Sequence, residues 1–166
     1  MNNDWEAIHS DLNKRPIEGV SDQSSDQDIL NLLRKYGIKH SVLNAQHSTS
    51  ITLWGTGAPR REFLYSDDLA DACLYLMQKL DFKDFKGNSI ETRNTHINIG
   101  SGVDLEIKEL ASLVKDVVGF KGTIEWDASK PDGTKQKLLN VDKINSMGWK
   151  HITTLENGIK SVYENY

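Results

Sequence analysis

The chain has 166 residues, 37% hydrophobic and 27% charged, which fits one domain, or a domain with an attached segment, large enough to bury a core without staples. A net charge of −4 argues against a broad basic field for nucleic acid or an anionic membrane. The single cysteine, Cys73, excludes an internal disulfide and a thiolate metal site. It suits a reducing cytoplasm. No apolar run approaches the length of a membrane span, and the polar start MNNDWEAIHSD is no signal peptide, so the expectation is a soluble cytoplasmic protein.

Residues 1–25 form a polar segment ending in a Ser/Asp/Gln cluster. Trp5, Ile8 and Leu12 have helical spacing, so a short amphipathic helix and disorder both fit. Residues 26–49 read as a helix-strand segment of uncertain origin. Ser25 opens an S-x-x-D pattern, Ile29, Leu30, Leu32 and Leu33 supply an apolar stripe, and Gly37 stops the helix before IKHSVLN.

Residues 50–166 read as an α/β domain in which strands alternate with helices. ITLW and EFLY are extended pieces flanking the turn GTGAPR. A helix follows, with Ser66 as N-cap, Asp67 and Asp68 in its first turn, and Leu69, Ala72, Cys73 and Leu76 as the buried stripe. Residues 81–95 read as a polar loop and HINIG as a strand. Ile107 to Val118 reads as a helix stopped by Gly119, then GTIEWD as a strand. ASKPDGTKQ is turn-rich, VDKINSMG a short helix, and Thr153 with Glu156 a capping box for the last helix.

Two stretches carry recognisable chemistry. Trp54 beside Arg60 and Arg61 combines an indole face with guanidinium forks, which suits a nucleoside diphosphate. The loop ASKPDGTKQK places Lys130, Asp132, Lys135 and Lys137 around a P-D-G turn, where Asp132 can accept hydrogen bonds from ligand hydroxyl or amino groups. The plain alternatives are a tight turn and a solvated charged loop. GTG at 55–57 and GSG at 100–102 lack the third glycine of a dinucleotide fingerprint. The histidines at 9, 40, 47, 96 and 151 show no metal-ligand spacing, and no G-x-S-x-G elbow occurs. Tyr75 and Lys79 match a Tyr-x-x-x-Lys pair, in which lysine lowers the tyrosine pKa for proton transfer. Tyrosine and lysine four apart on a helix occur often by chance, and the pair is rejected as a site.

ITLWGTGAPRREFLYSDDLADACLYLM, HINIGSGVDLEIKELASLVKDVVGFKG and WDASKPDGTKQKLLNVDKINSMGW, in that order, resemble the C-terminal part of the GDP-L-fucose synthases. These belong to the extended short-chain dehydrogenase/reductase group, the NAD-dependent epimerase/dehydratase family. The resemblance implies conversion of GDP-4-keto-6-deoxy-mannose to GDP-L-fucose by double epimerisation and NADPH-dependent reduction. It implies contacts to the GDP-sugar from Trp54, from Arg61, which adjoins EF, and from Asp132 of the KPDG loop. Family members form homodimers. Where the family carries a TPRKLL-like run this chain has TKQKLL, which implies a looser loop and a weaker phosphate contact.

The family's glycine-rich NADP fingerprint and its catalytic Tyr-x-x-x-Lys precede the WGTG stretch, and residues 1–50 contain neither. YLMQK follows that stretch, so Tyr75 and Lys79 are not the family's catalytic pair. The expectation is therefore a substrate-binding part without a complete Rossmann domain, binding no NADP(H) by itself. LLRKYGIKHSVLNA at 32–45 also resembles a short run of the bacterial preprotein translocase ATPase, which implies a fused or rearranged reading frame. A fragment or fusion keeping the GDP-sugar-binding region is the leading expectation. The alternatives are a stand-alone nucleotide-sugar-binding module and an inactive remnant.

Overall fold

A computed structural model describes residues 4–43, 46–86 and 91–165. The chain divides into two units, residues 1–57 with 120–131 and residues 58–119 with 132–166. Each is discontinuous in sequence.

The first unit opens with α1 (Trp5–Lys14), so the helical alternative is the one found. Asp4 caps it, its Oδ1 accepting from Ala7 N at 3.0 Å. Helix α2 (Asp26–Lys35) starts as the S-x-x-D pattern predicts, with Ser25 Oγ accepting from Asp28 N. Leu12, Val20 and Ile29 are buried together, with Trp5, Ile8, Leu32 and Leu33 packed around them. That cluster gives residues 4–25 a reason to stay ordered.

Gly37 ends α2 with φ +82°, and a Cβ there would run into the carbonyl of Thr52. Its own carbonyl accepts from Thr52 N at 2.8 Å, so the helix exit lies directly on a strand. That strand is β2 (Gln46–Trp54), antiparallel to β1 (Ile38–Leu43) and parallel to β5 (Thr123–Asp127). The parallel register pairs Ser50 with Thr123 and Trp54 with Asp127.

The second unit is built on β3 (Arg60–Glu62), flanked antiparallel by β4 (Asp104–Glu106) and parallel by β6 (Gln136–Lys137). The second extended piece thus begins two residues before EFLY. Around this sheet lie α3 (Ser66–Lys79), α4 (Phe82–Lys86), α5 (Ile107–Val117), α6 (Asp142–Ser146) and α7 (Leu155–Glu164). Its core comprises Ala72, Val141, Ile144 and Trp149, with Leu64, Tyr75, Leu76, Ile97 and Ile99 against it.

Five local expectations need correction here. The stretch read as a polar loop over 81–95 carries helix α4 at Phe82–Lys86. The N-cap of α3 is Tyr65, and Ser66 is its first helical residue, because Tyr65 alone has the extended backbone of a cap. The inward face of α3 is Asp68, Ala72, Tyr75 and Leu76, so Leu69 (44% exposed) and Cys73 lie outside. HINIG forms no strand: its isoleucines pack on the core, but among the described residues no neighbouring strand completes a ladder. Finally, α7 is capped by Thr154, whose Oγ1 accepts from Asn157 N, while Glu156 pairs with Lys160. Thr153 is not the cap because its backbone N–H goes to Asp68 Oδ2 at 3.0 Å.

Candidate functional site

Trp54 ends β2, where the backbone turns through Gly55 and Gly57, both at positive φ. Gly55 N donates to Asp127 O, extending the β2–β5 pairing by one bond. Asp127 then starts a turn of its own. Its Oδ1 accepts from Ser129 N and Ser129 Oγ, and its carbonyl from Lys130 N. Those bonds from Ser129 hold the Asp127 carboxyl below its ordinary value. The turn sets Lys130 Nζ 5.6 Å from the Trp54 ring centroid. The indole itself is 75% exposed. An exposed tryptophan with a cation over one face is a ready platform for a planar group.

Arg61 lies in the second unit, on β3, beside Arg60. Neighbours on a strand point to opposite faces, and the two arginines have different partners. Arg60 Nε donates to Asp104 Oδ1 at 2.9 Å, and its Nη2 to Asp104 O at 3.0 Å. Asp104 also accepts from Gln136, and these donors, Gln136 first, hold its carboxyl below the usual carboxylate range. The same pairing raises the Arg60 pKa. Arg61 Nη1 donates to Arg60 O at 2.6 Å and to Thr134 O at 2.7 Å. Among the described residues its Nε and Nη2 are not engaged.

Arg61 is therefore joined to the KPDG loop, two residues after Asp132, within one unit. Trp54 and Lys130 belong to the other. The chain passes between the units at Gly57–Ala58 and Pro131–Asp132, inside the two motifs that the sequence singles out, and again at Gly119–Phe120.

Sequence reasoning misses Glu62. Its Oε1 accepts from Gly102 N and Ser101 Oγ, and its Oε2 from Leu139 N at 3.1 Å. It ties β3 to both neighbouring loops, and its position beside Arg61 in REF is the only signal for it. Of the Tyr75–Lys79 pair, Tyr75 OH donates to Met147 O at 2.7 Å, and Lys79 is exposed. Among the described residues no group of three His, Cys, Asp or Glu is placed to hold a metal. No described helix is long and apolar enough to cross a membrane.

A nicotinamide dinucleotide would need backbone N–H groups at a glycine-rich turn opening a helix. The turn at 55–57 leads into β3 and that at 100–102 into β4, so neither fits the group.

Comparison with known proteins places this geometry. Residues 29–100 match the NAD dependent epimerase/dehydratase family. The chain is 47% identical over 122 residues to a putative GDP-L-fucose synthase 2 of Arabidopsis thaliana, covering 74% of this chain and 34% of that protein. It is 43% identical over 133 residues to the GDP-L-fucose synthase of Escherichia coli K12, covering 80% and 40%. Among solved structures it resembles a GDP-6-OMe-4-keto-L-xylo-heptose reductase from C. jejuni at a TM-score of 0.79 and 39% identity, covering 98% of this chain and 42% of that one.

The chain belongs to the NAD-dependent epimerase/dehydratase family, with the α/β fold of that family present in part. Within the family it carries the sequence pattern of the GDP-L-fucose synthases. It spans about a third of the length of the curated relatives it matches. The family match begins at Ile29, inside α2 and ahead of the WGTG turn.

Proposed function

We propose that this chain binds the GDP moiety of a nucleotide sugar and forms the substrate-holding region of a GDP-sugar epimerase/reductase. The observation that carries the reading is Trp54, three-quarters exposed at the end of β2 with Lys130 over its ring. An exposed indole offers a planar apolar face and an N–H to a ligand ring. Within the first unit the Trp54 indole offers a face on which guanine can stack; within the second, Arg61 keeps guanidinium donors for phosphate oxygens and Asp132 a carboxylate for ligand hydroxyl or amino groups. The relatives, GDP-L-fucose synthases and a GDP-heptose reductase, support a GDP-sugar over other nucleotides. NADP(H), bound in a solved GDP-mannoheptose C4 reductase that is 50% identical over its match, is in this reading held by parts of the family fold outside these residues.

The test is a calorimetric series with GDP, GDP-mannose, GDP-fucose and NADPH. The reading expects binding of the GDP compounds and no heat from NADPH. Arg61→Ala should weaken GDP at least tenfold, equivalent to about 1.4 kcal/mol, and should flatten the salt dependence of binding. Trp54→Ala should weaken it as well. Equal affinities for the wild type and both variants, or no GDP binding by the wild type, would overturn the reading.

A further inference from the structure

The two arginines of β3 reach the loop of Asp132 by separate routes. The first passes through Asp104, whose side chain is only 8% exposed. One carboxylate oxygen, Oδ1, receives Arg60, and the other, Oδ2, receives Gln136 Nε2. The second route is direct, from Arg61 Nη1 to the carbonyl of Thr134. Between them Arg60 N donates to Lys135 O at 2.8 Å, and β6 pairs in register with Arg60 and Arg61. A Cβ at Gly133 would lie 3.0 Å from Arg61 Nη2, so the loop backbone packs close against that guanidinium. Three consecutive residues, 134 to 136, are thus each fixed to β3 or to Asp104 of β4, immediately after Asp132.

We propose that Gln136, acting through Asp104 and Arg60, is a positioning residue for Asp132, and that Arg61 with Thr134 is the second point of the same clamp. A carboxylate with one oxygen on each side chain holds both in a common plane, so removing the Gln136 amide takes away the Asp104 arm of the clamp and leaves Arg61 on Thr134 and Arg60 N on Lys135 O. In this chain's TKQKLL run the loop is fastened by a neutral donor, Gln136, on a shared carboxylate. Gln136 is exposed, and the sequence marks it only through the TKQKLL departure. The inference rests on the proposed GDP-sugar site for the role of Asp132, but the clamp itself can be read without ligand.

Hydrogen exchange of the free full chain decides it. In Gln136→Ala, amides of residues 132–139 should exchange about tenfold faster, while those of α5 and α7 keep their protection. Gln136→Arg, which retains a donor for Asp104, should restore slow exchange. In GDP-mannose titrations, Gln136→Ala should weaken binding about threefold to tenfold in the wild-type background and have no effect in Asp132→Ala, as expected if one residue acts through the other. Unchanged exchange in Gln136→Ala overturns the clamp, as does acceleration spread equally through α5 and α7. Additive binding penalties in the double variant overturn the link to Asp132. If the wild type binds no GDP compound, the proposed function falls, and the exchange result alone upholds or overturns the clamp.

Discussion

Asp68 illustrates how one side chain can define a boundary far along the chain. It is 5% exposed, and its two oxygens accept from Ile152 N and Thr153 N. Replacing it with alanine strands the Thr153 donor, and a buried unsatisfied donor costs about 1–3 kcal/mol. Urea denaturation of Asp68→Ala should show a loss in that range. Tyr75 and Lys79 separate by the same logic. Tyr75→Phe removes one hydrogen bond to Met147 O and should cost about 1 kcal/mol, while Lys79→Ala should stay within about 0.5 kcal/mol. Gly148 packs against that hydroxyl at φ +100°, so Gly148→Ala should cost more than Tyr75→Phe in the same assay. Trp54, Arg61 and Asp132 are legible in the sequence by residue type, because aromatic planes, forks and carboxylates advertise their chemistry. Asp68 and Glu62 are not. Their partners lie in distant segments, 39 to 77 positions away for Glu62 and 84 and 85 for Asp68, and no local pattern encodes hydrogen bonds that remote.

At the scale of elements, the sequence is read best where a local signal decides the outcome. Ser25 starts α2, Gly37 stops it, and Gly119 at φ +68° follows α5 as predicted. It is read worst where a neighbour decides. HINIG has strand composition, yet a strand exists only through its ladder, and no described segment supplies one. Leu69 and Cys73 share helical spacing with Ala72, but the bond from Trp149 Nε1 to Asp71 and those to Asp68 turn α3 so that a different face meets the core. The α1–α2 cluster makes a sharper prediction. Leu12 is 4% exposed within it, and Leu12→Ala should cost about 3 kcal/mol. Limited proteolysis should then cut the variant around residues 21–25 well before it cuts the wild type. Equal cleavage rates would mean that α1 contributes no protection.

For the whole molecule, three carboxylates share a direction. Glu18, beside Tyr36 and Lys35, Asp104, beside Gln136 and Arg60, and Asp127, beside Ser129, are all held below their ordinary values. A group depressed in the folded state contributes its stability fully above the unfolded-chain pKa and loses it as pH falls through the folded one. Unfolding midpoints should hold level near neutrality and fall steadily below the ordinary carboxylate range, with a shallower fall in Asp104→Asn. The parallel pairing of β2 with β5 has a consequence for how the chain is made. Ser50 cannot meet Thr123 until everything between them has been synthesised, so the sheet of the first unit must wait, half formed, while residues 58–119 of the second unit emerge. Pairings this remote in sequence close slowly. Until they do, the row of backbone donors and acceptors along β2 that later faces β5 stands open to any passing strand, which makes the newborn chain most prone to aggregate shortly before β5 emerges.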